Sequence, residues 1–192
     1  MNLSTALRIK EAALRQFALN GYEATSLDSI AREVGIKKQS IYGHFQNKEQ
    51  LCIQIFEEAV ASEIRFLDQF FNEKQAASLE ETLYDFILVY KERYESVLHM
   101  RLFLYLGFLI PHSLHDAING HVSRYVSHKR KAVLDRISRE AGVTLSVDPE
   151  TAMNAYMNLI EGMFVELVYV GSKHYEKRLT CSWSIFWRGL CK

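Results

Sequence analysis

The residues with the strongest chemical signature lie in one short stretch, "TSLDSIAREVGIKKQSIYGHFQNKEQL", Thr25 to Leu51. Lys37, Lys38, Gln39, Ser40, Tyr42, His44 and Lys48 bring ammonium, amide, hydroxyl and imidazole groups together there. A glutamine amide can bond an adenine edge in two places, and a lysine suits the O6 and N7 acceptors of guanine. Contacts to phosphate need local positive charge and carry no sequence information of their own. The chain has zero formal net charge, yet Arg32 to Lys48 holds four Lys and Arg against one acidic residue. Residues 1–50 as a whole hold seven against five, so the excess sits at this turn. Double-stranded DNA is the expected partner. Direct base contact is assigned to Lys38, Gln39 and His44, and phosphate contact to Thr25, Ser26, Lys37, Ser40, Tyr42 and Lys48.

Such groups need rigid elements, and the same stretch predicts three short helices. Thr25 followed by Asp28 reads as a capping box, after which Leu27, Ile30, Ala31 and Val34 form one apolar face. Gly35 stands where a left-handed C-cap residue is wanted, and Ile36 with Lys37 makes a turn of helix-turn-helix length. A second helix starts near Lys37 or Lys38 with Ile41, Tyr42 and Phe45 turned inward. Asn47 caps the next helix, with Lys48 at its first position and Gln50 at its third. A cation at a helix start opposes the helix dipole, which makes sense beside an anion. Before them, Ser4 to Asn20 reads as a bracing helix with Ala6, Ile9, Ala13 and Phe17 on one stripe.

The segment "GYEATSLDSIAREVGIKKQSIYGHFQNKEQL" resembles the DNA-binding segment of the tetracycline-repressor (TetR) family of bacterial regulators. Gly21, Tyr22, Thr25, Ser26, Ile30, Ala31, Gly35, Tyr42, His44, Phe45, Lys48 and Leu51 carry the likeness. It departs from the family at Lys37, often Ser or Thr, and at Gln39, often a small residue. The resemblance implies a two-fold dimer that reads a palindromic operator, and an effector pocket in the second half of the chain. It also implies a repressor released when that effector binds.

The rest of the chain fits an all-α fold. Two prolines and nine glycines leave little room for turns, and 48% hydrophobic content is enough for a sizeable core. The expected organisation is a helix-turn-helix domain over 1–47, a connecting helix over 48–71, and a ligand-binding and dimerisation domain over 72–192. Ser78 with Glu81 opens a helix to about Ser96, and a short apolar helix then ends before Pro111. A longer helix runs from about Leu114 to Ala141. Asp148-Pro149-Glu150 starts another that reaches about Val170, and the last spans roughly His174 to Leu190. The longest apolar run, Leu102 to Ile110, is nine residues, short of the roughly 18 a membrane span needs. No charged-then-apolar leader follows Met1, so a cytoplasmic protein with no membrane partner is expected. Three cysteines, an odd number, suggest reduced, buried thiols rather than disulfides.

Tyr90, Tyr94, Phe103, Tyr105, Phe108 and Met157, with Asn154, Asn158 and Glu161 as polar members, are the candidate lining for a small lipophilic effector. Glu161 draws notice as a carboxylate inside an apolar helix. Met163, Leu167, Leu179, Trp183 and Phe186 are more apolar surface than one core needs, and are assigned to the dimer interface. Two other controls are possible. A protein partner fits the basic stretch Arg124 to Arg139, otherwise read as a solvated helix face. A metal fits the histidines His99, His112, His115, His121 and His128, among which His112 and His115 are three apart. No phosphate-cradling glycine loop, nucleophile elbow or zinc-protease spacing occurs, so neither an enzyme nor a cofactor is expected.

Overall fold

The computed structural model describes residues 4–140 and 142–191, and they are all-α. The helices are α1 (Thr5–Asn20), α2 (Leu27–Val34), α3 (Lys38–Tyr42), α4 (Lys48–Glu73), α5 (Leu79–Ser96), α6 (Leu98–Phe108), α7 (His115–Ser138), α8 (Pro149–Tyr169) and α9 (Tyr175–Leu190). Single 3-10 turns at His112–Leu114 and Ser172–His174 lead into α7 and α9. Their starts follow the capping chemistry. Asp148 accepts from the N–H groups of Glu150 and Thr151, with Pro149 at the first helical position. Asn47 accepts from Gln50 N–H at 2.7 Å, and the Gln50 side chain returns to the N–H of Gln46. The predicted end of the long helix at Ala141 lies outside the described residues, as does Met1. Cys191 follows the end of α9 and forms an isolated antiparallel bridge with Leu145.

One start differs from the sequence reading. Ser26, not Thr25, is the N-cap of α2: its hydroxyl accepts from Ser29 N–H while the Ser29 side chain accepts from Ser26 N–H. Thr25 is buried, and its hydroxyl donates to the Gly21 carbonyl at 2.8 Å. The two adjacent residues divide the work, one closing the turn before α2 and the other capping it.

Residue contacts divide the chain into two compact units. The first combines the described residues of Met1–Glu63 with Val97–Ser123. In it α1 packs against α2 and α6. Ile9, Phe17, Ile30, Ile41, Phe45 and Leu51 close a core beneath the helix-turn-helix. Arg15 and Gln16 of α1 both reach the Glu33 carboxylate on α2, and Arg8 donates to the Val34 carbonyl. Phe103 of α6 stacks on Phe56 of α4, with ring centroids 6.1 Å apart.

The second unit combines Ile64–Ser96 with the described residues of Arg124–Lys192. Here α8 packs on α9 and both pack on α5. Two buried hydroxyls pin that arrangement: Tyr156 of α8 donates to the Leu83 carbonyl and Tyr175 of α9 to the Ile87 carbonyl, one turn further along α5. Burial holds both phenols above the usual tyrosine range, Tyr175 at a value beyond ordinary titration.

Two glycines of the first unit have left-handed φ for different reasons, Gly21 at 84° and Gly35 at 76°. A Cβ on Gly35 would meet nothing within 4 Å, whereas one on Gly21 would come 2.8 Å from the Tyr105 hydroxyl of α6. Gly35→Ala should therefore cost only the backbone strain, about 1–2 kcal/mol, and Gly21→Ala should cost more. Denaturant midpoints of the two variants check the order.

Candidate functional site

The reading helix is short and stands on a narrow apolar base. Ile41 and Phe45 are buried against the core of the first unit, and this fixes the opposite side of α3 toward solvent. Lys37, Lys38, Gln39, Ser40 and His44 are all exposed. Tyr42, expected to turn inward, is 52% exposed and joins them. The buried positions 41 and 45 are four apart, so 38 lies over the same arc only in part and 42 falls well off it. Gly35 closes α2 by donating to the carbonyls of Ala31 and Arg32, which sets the angle at which α3 leaves. The result is a cationic and amide-bearing ridge on a rigid three-helix base.

Two of the expected phosphate ligands make contacts within the fold. Thr25 is turned inward as described. Lys48 sits at the start of α4, and its ammonium donates to the Tyr22 carbonyl at 3.0 Å and the Thr25 carbonyl at 3.1 Å. It also lies 3.9 Å above the Tyr22 ring. At this helix start the ammonium meets two carbonyl dipoles and a ring face. Ser26 remains exposed beside them.

The candidate effector residues fall in both units. Phe103, Tyr105 and Phe108 belong to the first unit, where Phe103 is core and Tyr105 abuts Gly21. Tyr90, Tyr94, Asn154, Met157, Asn158 and Glu161 belong to the second. There Tyr90 and Met157 are buried, Asn154 accepts from Arg130 at 2.7 Å, and Asn158 is exposed. An open groove of about 490 Å³ in this unit is lined instead by α4 and α7, with Leu67, Phe71 and Arg136 among its walls.

Two charged residues of the second unit escaped the sequence reading. Glu166 is the buried carboxylate of α8, paired with Arg178 of α9, whereas Glu161 is half-buried. Lys129, read as part of a solvated basic face, is only 2% exposed. It follows the buried stripe Tyr125, Lys129, Val133 and Ile137, spaced by four, and that spacing was the available signal. The rest of the basic stretch is also partly committed, since Arg136 donates to the Ala77 carbonyl and to Glu140. Arg124, Lys131 and Arg139 stay exposed, too few and too scattered for the continuous face expected.

The dimer-interface assignment shifts as well. Met163, Leu167, Leu179 and Trp183 are buried within their own unit, and Phe186 is half-buried against Tyr156 and Trp183. Val165, Tyr169 and Val170 of the α8 end and Ile185 of α9, the last at 78% exposure, are the apolar groups left uncovered. Among the described residues no group of three His, Cys, Asp or Glu side chains is placed to hold a metal. His128 pairs with Asp68 at 2.7 Å, and His121 lies edge-on to Phe56. Cys52 is buried, which pushes its thiol up to about 12, while Cys181 is exposed, contrary to the expectation of buried thiols. No helix among the described residues is long and apolar enough to cross a membrane.

Residues 9–55 match the model of the bacterial regulatory proteins, tetR family. The chain is 25% identical over 193 residues to an HTH-type transcriptional regulator of Bacillus subtilis, YvkB, with 97% of each chain covered. It is 26% identical over 156 residues to IcaR of Staphylococcus epidermidis, the negative transcriptional regulator of the biofilm operon icaADBC, covering 80% of this chain and 79% of that one. Among solved structures, it is similar to NalD of Pseudomonas aeruginosa, the secondary repressor of a multidrug efflux pump. That match has a TM-score of 0.67 and 22% identity, covering 98% and 96% of the two chains. It is likewise similar to Bacillus subtilis FadR in complex with stearoyl-CoA, with a TM-score of 0.66 and 21% identity over 95% and 98%.

Lys48→Met should lower stability by about 1.5–3 kcal/mol, because it removes a charge-assisted pair of hydrogen bonds and strands the two carbonyls. A pure phosphate ligand would leave the denaturant midpoint unchanged. Lys129 gives a pH signature. Burial pulls its ammonium down to about 8, with only Glu161 opposing, and the rings of Tyr125 and Phe164 line it. The unfolded chain then binds more protons than the folded one between that value and the ordinary lysine value of 10.5. The destabilisation is complete below about pH 8 and is relieved as pH rises. Lys129→Met should accordingly be more stable than the parent by on the order of 3 kcal/mol at pH 7. The gap should close toward pH 10.5, read from paired melts in which the buried tyrosines and Cys52 cancel.

Proposed function

The chain belongs to the tetR family of bacterial regulatory proteins and is a DNA-binding transcriptional regulator, and from that premise we propose that it is a cytoplasmic, homodimeric repressor released from a palindromic operator by a small lipophilic effector. The observation that carries the reading is the exposed ridge of α3, held outward by the burial of Ile41 and Phe45. Lys38, Gln39 and His44 are its base-reading groups. Lys37, Ser40, Tyr42 and Ser26 hold phosphate, with the backbone around Thr25 and the third donor of Lys48 as lesser contributors. The functional division is a reader over 1–47, a connecting helix over 48–71 and a regulatory domain over 72–192.

Two copies are required because one five-residue helix reads too few bases for a specific site. Paired reading helices about 34–36 Å apart enter successive major grooves on one face of the duplex. The uncovered apolar groups Val165, Tyr169 and Ile185 support α8 and α9 as the joining face. Release follows from linkage: an effector that prefers a conformation with α4 displaced takes the two readers out of groove spacing. Coupling of about 1–3 kcal/mol lowers operator affinity roughly five- to 150-fold. The complex of FadR with stearoyl-CoA supports an apolar ligand for this one.

Selection from a random duplex library should recover a palindrome with half-sites about one helical turn apart. Gln39→Ala should then relax preference at one position of each half-site. Lys37→Ala should weaken all sequences alike and reduce the salt slope by about one. Recovery of no preferred sequence, with binding lost at moderate salt, would sink the reading. Ile185→Asp should give a monomer in sedimentation, whereas Leu179→Ala should lower the melting temperature and leave the association state unchanged.

A further inference from the structure

Lys129 is a buried cation of the second unit whose chemistry neither the fold nor the reader uses. Its side chain enters the core between Tyr125, one turn earlier on α7, and Phe164 of α8. The ammonium lies 5.0 Å from the Phe164 ring centroid and 5.5 Å from that of Tyr125. No hydrogen bond or ion pair from it to any described residue is present, and Glu161 is the opposing charge that acts on it. Ring faces compensate only part of the desolvation of a cation. The contrast inside the same unit is direct, since the other buried charge, Glu166, has its partner in Arg178.

We propose that Lys129 anchors the acidic group of an amphipathic monoanion, a carboxylic acid with a long apolar body, bound within the second unit. This rests on the reading of that unit as the effector-binding one. Three observations favour a single-charge acid over a phosphate ester or a cation. Glu161 acts on Lys129 as an opposing charge and would repel further negative charge on a ligand. The ammonium excludes a cationic ligand, which would leave two like charges in one core. Beyond Lys129 the rings continue without interruption: Phe164 stacks on Tyr90 at 4.7 Å, Tyr90 meets Phe86 at 4.7 Å, and both lie near Phe66. An ammonium beside a run of aromatic faces suits a carboxylate joined to an apolar body. The hydroxyls of Tyr90 and Tyr125, which hydrogen-bond one another, lie in the same cluster.

The test uses the full chain at neutral pH, with melting temperature and calorimetric affinity read for straight-chain acids of ten to sixteen carbons against alcohols of matched length. The acids should raise the melting temperature by several degrees and bind at least tenfold more tightly than the alcohols. Lys129→Met should abolish that preference while retaining whatever the alcohols do, and Lys131→Met, exposed on the same helix, should keep it. Equal effects of acid and alcohol, no effect of any acid, or an acid preference that survives Lys129→Met would overturn the proposal. So would a Lys129→Met protein that is less stable than the parent or fails to fold, because the lysine would then be a structural cation. These readouts need no DNA. Operator selection with the unmodified protein is scored separately, so failure of the regulator reading and failure of the acid site are told apart.

Discussion

The ammonium of Lys48 holds together three pieces on which the reader depends. It joins the first turn of α4 to the carbonyls of Tyr22 and Thr25, in the turn between α1 and α2, and lies over the Tyr22 ring. The same turn carries Gly21 at positive φ and the inward Thr25 hydroxyl. Without that tie, α4 would be attached to the three-helix head through residues 43–47, the Lys10–Glu58 ion pair and the buried side chains of Leu51 and Ile55. With it, the orientation of α3 is referred to the start of α4. Because α4 carries residues of both units, the tie is where covalent continuity and reader geometry meet.

Most helix boundaries were legible because local chemistry decides them. Asp148-Pro149, Asn47 with Gln50, and Gly35 each offer one residue able to satisfy the end of one helix. Thr25-Ser26 offers two adjacent hydroxyls, and nothing local says which one caps. The choice is tertiary: Thr25 is drawn into the core by the Gly21 carbonyl, which leaves the cap to Ser26. Tyr42 failed for a related reason. A five-residue helix has too few positions for its apolar arc to be read, and an amphipathic tyrosine suits either side.

The candidate site was legible where charge and exposure coincide and illegible where they part. Lys37, Lys38, Gln39 and His44 stand outside because Ile41 and Phe45 go in, a pattern present in the sequence. On α8 and α9 the apolar residues run all round, so hydropathy could not tell the face packed within the chain from the face left uncovered. Met163 and Leu167 fell on the first, and Val165 and Tyr169 on the second. The candidate effector residues divide between the units because α6, which supplies Phe103, Tyr105 and Phe108, folds with the first unit, whereas sequence order alone had placed it with the second.

Three buried or half-buried charges show how far physical accounting can separate structural from functional roles. Lys48 has two carbonyls and a ring, and Glu166 has Arg178; in each case removing one partner would strand the other, so the charge is part of the fold. Lys129 differs because no hydrogen bond or ion pair among the described residues completes it. Replacing it by an apolar side chain of similar length would remove a desolvated cation and strand no partner, so the folded chain alone gains no stability from keeping it. A foreign carboxylate entering that core meets a cation whose water has already been removed by folding. The desolvation of the ammonium is therefore not charged against binding, and the cost left for the pairing to offset is that of dehydrating the carboxylate. The same amine in solvent would give an acid little advantage over an alcohol. Its burial among Tyr125, Phe164 and Tyr90 turns an ordinary lysine into a group that distinguishes ligands by one charge.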